Sequence, residues 1–164
     1  YRDSIRQREI DSVMIDSMPR YVSQKRDTIL NLRTADTTEL KMIRGIGSYR
    51  AKQIVRYREQ LGGFAHVDQL CEIKALQPLL TDSIQADSLL AHFWLDSVII
   101  DPLRVNSAGV EKLQRHPYLS FEQAKAIYEY RRKHIRIKSA EELKKIKGLS
   151  SEDIEKIVIY LDFS

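Results

Sequence analysis

The stretch Leu40-Lys41-Met42-Ile43-Arg44-Gly45-Ile46-Gly47-Ser48-Tyr49-Arg50-Ala51-Lys52-Gln53-Ile54-Val55 decides the fold. Apolar residues at 40 and 43, and again at 51, 54 and 55, read as the facing sides of two short helices. Only a few residues separate them. Gly45 and Gly47 bracket one apolar residue, so both glycines are expected to take unusual φ/ψ angles while Ile46 plugs inward. The second helix begins near Ser48. Its first N–H groups have no intrahelical acceptor and, with the glycine amides, form a positively polarised concavity. Phosphate is the natural occupant of such an anion site.

The ordered set Leu40, Ile43, Gly45, Ile46, Gly47, Ala51, Ile54 and Val55 resembles the helix-hairpin-helix motif of non-sequence-specific DNA-binding proteins. With Leu32-Arg33-Thr34-Ala35, Glu39-Leu40, Lys52, Tyr57-Arg58 and Gly62-Gly63-Phe64 added, it is similar to the ComEA family of competence DNA receptors. The resemblance runs from roughly residue 28 to 161 and weakens in its second half. Two positions depart from it: Arg33 stands where that family usually has Asn, and the second half has lost its Gly-x-Gly. The resemblance implies an all-α, SAM-like fold of tandem double helix-hairpin-helix repeats. It implies a bacterial protein that binds double-stranded DNA through phosphates, in DNA uptake, competence or a related DNA-handling process. Its place would be the periplasmic or extracytoplasmic face of the cell envelope, with envelope or uptake proteins as further partners; the cytoplasm is the alternative. Similar hairpin repeats in the minor pseudopilin of type II secretion supply a rival reading, a protein-interaction scaffold that binds no DNA.

Working outward, residues 28–33 form an extended apolar lead-in to Thr34, the expected N-cap of a first helix over 35–43. The second helix runs to about Gln60 and ends at Gly62-Gly63 as a C-cap, after which Phe64 folds back onto the core. Glu39-Leu40-x-x-Ile43 recurs as Gln69-Leu70-x-x-Ile73, so a second helix pair is expected, with Lys74-Ala75-Leu76-Gln77 at its turn and Ile84 beyond it. A larger repeat is clearer. Displacing the chain by 73 residues pairs Leu40 with Leu113, Ala51-Lys52 with Ala124-Lys125, Tyr57-Arg58 with Tyr130-Arg131 and Ile73-Lys74 with Ile146-Lys147, without a gap. The expected division is an N-terminal helix or stalk over 1–27, broken at Pro19, and a first double hairpin over 28–85. A packed apolar and acidic connector follows over 86–102, then a degenerate second double hairpin over 103–164. The connector is too apolar for a flexible linker, and Trp94 is expected to fill the junction between blocks.

The four turns, near 45, 75, 118 and 148, differ chemically. His116-Pro117-Tyr118-Leu119-Ser120 replaces both glycines; proline brings no N–H and Tyr118 brings bulk, so this turn is expected to be structural or to bind differently from the first. Lys147-Gly148-Leu149-Ser150 keeps one glycine and gains a cation. The candidate DNA contacts are Arg44, Gly45, Ile46, Gly47, Ser48, Arg50 and Lys52 at the first turn, Lys74 at the second, and Lys147, Gly148 and Ser150 at the fourth. Tyr57 and Tyr130 are expected to pack with their hydroxyls at the surface, and Arg58 and Arg131 to pair with nearby acids.

Charge supports this division. The net charge of +4 is modest, but residues 25–76 carry ten Lys and Arg against six Asp and Glu, and residues 103–161 thirteen against eight. Residues 77–102 hold four Asp and no Lys or Arg. Either block would meet a duplex favourably. At 43% hydrophobic and 30% charged, the composition is that of a folded domain, and no apolar run spans a bilayer. Tyr1 in place of Met leaves room for an upstream segment, so an anchor there stays an open question. No enzyme is expected. His66, His92, His116 and His134 are scattered, without metal-ligand spacing, and Cys71 sits where a buried inert thiol would. No Gly-rich loop leads to a Lys-Ser or Lys-Thr pair. Neither catalytic residue, metal, cofactor nor small-molecule substrate is implied.

Overall fold

The computed structural model describes residues 28–164; the expected N-terminal helix or stalk and its break at Pro19 lie outside the described residues. Two blocks follow one another, each tied shut by a two-residue parallel strand pair. In the first, β1 (Leu30–Asn31) pairs with β2 (Phe93–Trp94), Leu30 opposite Phe93. In the second, β3 (Leu103–Arg104) pairs with β4 (Leu161–Asp162). The first block therefore reaches Trp94, and the boundary expected at 85 falls inside a helix that belongs to it.

Helix α1 (Thr37–Leu40) is a single turn, followed by α2 (Ser48–Leu61). Asp36, not Thr34, caps α1. Its carboxylate accepts the Thr38 and Glu39 N–H groups at 2.7 and 2.8 Å, and the Glu39 side chain accepts the Asp36 N–H at 2.9 Å. This reciprocal box satisfies donors that Thr34, turned back toward Asn31 at 3.2 Å, cannot reach. Gly62 ends α2 in the left-handed region, φ 80°, and a Cβ there would overlap the Asp101 carbonyl. The Asp101 N–H returns a bond to the Gly62 carbonyl at 2.8 Å, so the connector seats on this glycine. The expected second helix pair is instead two 3-10 segments, Val67–Glu72 and Lys74–Leu79, then α3 (Ser83–Leu90). Pro78 inside the second segment removes a donor that an α-helix would need. Ile84 is 79% exposed and lies outside the core, and Cys71 is only partly buried.

The second block repeats the plan with α4 (Val110–Gln114), α5 (Phe121–His134), α6 (Ala140–Leu143) and α7 (Ser151–Ile157). Helices α2 and α5 each span 14 residues. Arg58 and Arg131 do not pair with acids. The Arg58 Nη1 donates to the Leu32 and Ala35 carbonyls at 3.1 and 2.9 Å, and the Arg131 Nη1 to those of Val105 and Ala108, both at 2.8 Å. Each arginine thus pins its block's lead-in to its long helix. Arg33 and its counterpart Asn106 also hold chain ends, by different chemistry. Arg33 grips Asp96 through Nε and Nη2 at 3.0 and 2.9 Å, which holds the Asp96 carboxyl well below the usual range. Asn106 binds the Ile137 N–H and the Ile137 and Phe163 carbonyls, all at 2.9 Å.

Trp94 does not fill the junction; it is 47% exposed, because β2 turns the neighbouring Phe93 inward. The junction belongs to Gln69. Its Oε1 accepts the Ala65 and His66 N–H groups at 2.8 and 3.1 Å, and its Nε2 donates to the hydroxyls of Tyr118 and Tyr160, both at 2.7 Å. Tyr160, from the second block, is wholly buried in the first block's cluster. His116 completes a three-ring cluster with them, its centroid 5.4 Å from that of Tyr118 and 4.9 Å from that of Tyr160. Of the two roles its sequence left open, the turn at Tyr118 takes the structural one.

Burial pushes the His116 ring down to about 4, the Leu61 carbonyl opposing only in part. The unfolded chain takes up that proton near 6.5, so stability is complete above that pH and is lost as pH falls toward 4. Between pH 7.5 and 5 the urea midpoint should fall by the equivalent of about 2 kcal/mol. In His116→Phe this dependence should largely disappear.

Candidate nucleic-acid interface

The three turns that lead into α2, α5 and α7 share a backbone scaffold. In each, the apolar plug donates its N–H three residues back: Ile46 to Ile43 at 3.0 Å, Leu119 to His116 at 3.0 Å, Leu149 to Ile146 at 3.3 Å. Gly45 and Gly148 lie in the left-handed region, φ 89° and 95°, where a Cβ is disfavoured. Gly47 does not share the unusual backbone expected of it. At φ −87° and ψ −179° it is the extended N-cap of α2, a conformation open to any residue, and a Cβ there would meet nothing within 4 Å. Its bareness opens space in front of the helix rather than permitting the turn.

What occupies the three helix starts differs. Ser120 caps α5 in a reciprocal box with Gln123, and Ser150 caps α7 in a box with Asp153. The Ser150 hydroxyl accepts the Asp153 N–H at 3.1 Å and its own N–H goes to the Asp153 carboxylate at 3.0 Å. Ser150 therefore has no amide to offer a phosphate, and the Asp153 carboxylate already stands where one would sit. That carboxyl is held below its usual range chiefly by the Ser150 N–H. Glu122 and Glu152 add further acids in the first turns of α5 and α7. At α2 there is no side-chain cap and no acid in the first turn. The first α2 amide in a backbone bond is that of Ala51, to the Gly47 carbonyl at 3.0 Å. The amides before it are left to an outside acceptor.

Arg44, Gly45, Gly47, Ser48 and Lys52 are all exposed around this opening, and Ile46 is buried beneath it. Arg50 is turned inward. Its Nη1 donates to the Gly45 carbonyl at 2.8 Å and its Nε to the Ala75 carbonyl at 3.0 Å, so it braces the first turn against the second. Gln123, 73 residues on, makes the equivalent brace to the Gly148 carbonyl at 3.2 Å. Lys74 is exposed at the mouth of a cleft between the blocks. Lys147 and Gly148 lie apart from the first turn, in a shallow depression beside α5 with Lys125, Glu122 and Glu129. The sequence carried a signal for the difference between turns: Ser120-x-x-Gln123 and Ser150-x-x-Asp153 are self-capping patterns, and Gly47-x-x-Arg50 is not.

Tyr57 packs against Phe64, ring centroids 6.1 Å apart, and donates its hydroxyl to Glu72 Oε2 at 2.6 Å. Burial, and then the Glu72 bond, push the Tyr57 hydroxyl far up from its ordinary value. Among the described residues no three His, Cys, Asp or Glu side chains gather to hold a metal ion. No described helix is long and apolar enough to cross a membrane.

Residues 25–87 and 98–162 each match the family model described as "Helix-hairpin-helix motif". The chain belongs to the helix-hairpin-helix family. Such motifs in general suggest nucleic-acid binding. Among curated proteins, the chain is similar to "Endonuclease/exonuclease/phosphatase family domain-containing protein 1" of Mus musculus, 27% identical over 160 residues, and of Homo sapiens, 26% identical over 160 residues. Each match covers 83% of the chain and 28% of the relative, so the chain spans little more than a quarter of these proteins. An uncharacterised protein of Haemophilus influenzae is 41% identical over 59 residues, 35% of this chain and 49% of that one. No solved structure matches the chain significantly.

The two glycines of the first helix-hairpin-helix should respond unequally to a side chain. Gly45→Ala should cost about 1–2 kcal/mol in urea unfolding, with its Cβ 3.1 Å from a Leu79 methyl. Gly47→Val should cost less, about 0.5–1 kcal/mol, since an apolar N-cap is poorer than glycine but its side chain meets no neighbour.

Proposed function

We propose that the chain binds double-stranded DNA without sequence preference, through backbone phosphates at the first hairpin, and performs no catalysis itself. One observation carries this: α2 alone among the three hairpin helices α2, α5 and α7 starts with neither a side-chain cap nor an acid, behind an open glycine. Arg44 and Lys52 flank the opening as exposed cations, and phosphate oxygens satisfy amides and cations together. Arg50 serves by fixing the turn. Contacts of this kind fix position on a duplex and read no sequence. The second block contributes mainly through the first, by way of Gln69, with Lys147 as a lesser outlying cation.

The resemblance to the ComEA family supports a finer reading, DNA uptake at an extracytoplasmic face of a bacterial envelope, with uptake proteins as partners. The name of the vertebrate relatives, which speaks of an endonuclease/exonuclease/phosphatase family domain, is in keeping with nucleic-acid handling.

Fluorescence anisotropy with a labelled random duplex at two salt concentrations tests the proposal. The intact chain should bind more weakly as salt rises. Gly47→Val should lower affinity about tenfold by obstructing the amides, and Arg44→Ala with Lys52→Ala should flatten the log–log salt slope by about two. Absence of binding at low salt would overturn the proposal and favour the scaffold reading.

A further inference from the structure

Between the two blocks lies an open cleft of about 860 Å³ that the phosphate site leaves unexplained. One wall is a single face of α2, carrying Tyr49, Gln53, Tyr57 and Gln60; the facing wall includes Pro117, Tyr118 and Lys156. Glu72, itself exposed, ties the two walls together, its Oε2 accepting both the Tyr57 hydroxyl at 2.6 Å and the Tyr118 hydroxyl at 2.8 Å. We propose that this cleft receives an unpaired nucleotide of a strand whose phosphate is held at Gly47-Ser48, with the base stacked on Tyr49. The chain would then prefer DNA with a single-stranded end to a blunt duplex. This inference rests on the phosphate reading of the first hairpin.

Three features favour a base over other occupants. Tyr49 is 68% exposed although it is a large aromatic, and it follows directly on Ser48 at the open end of α2. A ring so placed can present its face to a neighbouring base, which is how single strands are held without sequence preference. Next, the cleft's own charges cancel, Lys74 and Lys156 against Glu72 and Asp153. A second phosphate groove would be basic; a base needs only a neutral, partly apolar slot. Lastly, the α2 wall offers uncharged amides. Gln53 lies one helical turn beyond Tyr49, and neither Gln53 nor Gln60 is committed to a hydrogen bond among the described residues, so both can meet the donors and acceptors of a base edge. In a paired duplex the base faces are stacked and out of reach. Only a frayed end, an overhang or a displaced strand supplies one.

The test is anisotropy with two labelled probes that share a 20-base-pair duplex, one blunt and one carrying a three-nucleotide overhang, against the intact chain, Tyr49→Ala and Tyr49→Phe. The intact chain and Tyr49→Phe should bind the overhang probe about tenfold more tightly than the blunt one. Tyr49→Ala should remove that preference and leave blunt-duplex affinity within twofold. Equal affinity of the intact chain for both probes, or a Tyr49→Ala loss shared equally between them, would overturn the cleft while leaving the hairpin reading intact. Binding of the overhang probe alone would uphold the cleft and remove the duplex reading. Binding of neither would overturn both.

Discussion

One buried amide holds the molecule's two halves in register. Gln69 is 7% exposed, yet its four hydrogen bonds leave little of its polarity unpaid: two backbone donors from the first block and two tyrosine hydroxyls from the second. A buried side-chain amide is costly unless so satisfied, and once satisfied it admits few alternative arrangements. The Tyr118 hydroxyl passes the chain on to Glu72, and Tyr57 closes on the same carboxylate oxygen. The second copy's hairpin has exchanged its left-handed glycine for this tyrosine. That substitution supplies the interblock clamp, while the Ser120 cap two residues on closes the helix start.

A second exchange, Gly47 for Ser120 and Ser150 at the corresponding caps, explains how a duplicated unit comes to have one open helix start. All three hairpins keep the plug and its short backbone bond, because the plug fills the core between the helices. What varies is the residue in front of the second helix. Serine there closes on its own third residue, Gln123 or Asp153, and the helix dipole is satisfied from within. Glycine there closes on nothing. The chemical distinction between a structural and a binding hairpin therefore lies in a cap, not in the overall course of the chain.

Much of this was legible in the sequence. The 73-residue repeat, the hairpin at 40–55 and the Gly62 C-cap all follow from spacing and residue type. Trp94 misled because hydrophobicity gives no facing: a two-residue strand turns Phe93 in and therefore Trp94 out. Arg50 read as a DNA contact and Arg58 and Arg131 as partners of acids, since nothing local shows that backbone carbonyls come within reach of these guanidiniums. A second helix pair about a turn at 74–77 was expected from apolar spacing, which 3-10 segments over six residues satisfy equally well. The difference between Gly45 and Gly47 is a matter of backbone angle, invisible until the turn is built.

The most direct test of one open hairpin among closed ones is an amide-resolved NMR titration of the chain with a short random duplex. The account predicts that the Gly47 and Ser48 amides shift first and furthest, while those of Ser120 and Ser150, held by Gln123 and Asp153, stay nearly still. Largest shifts at Ser150, with Gly47 unmoved, would contradict it.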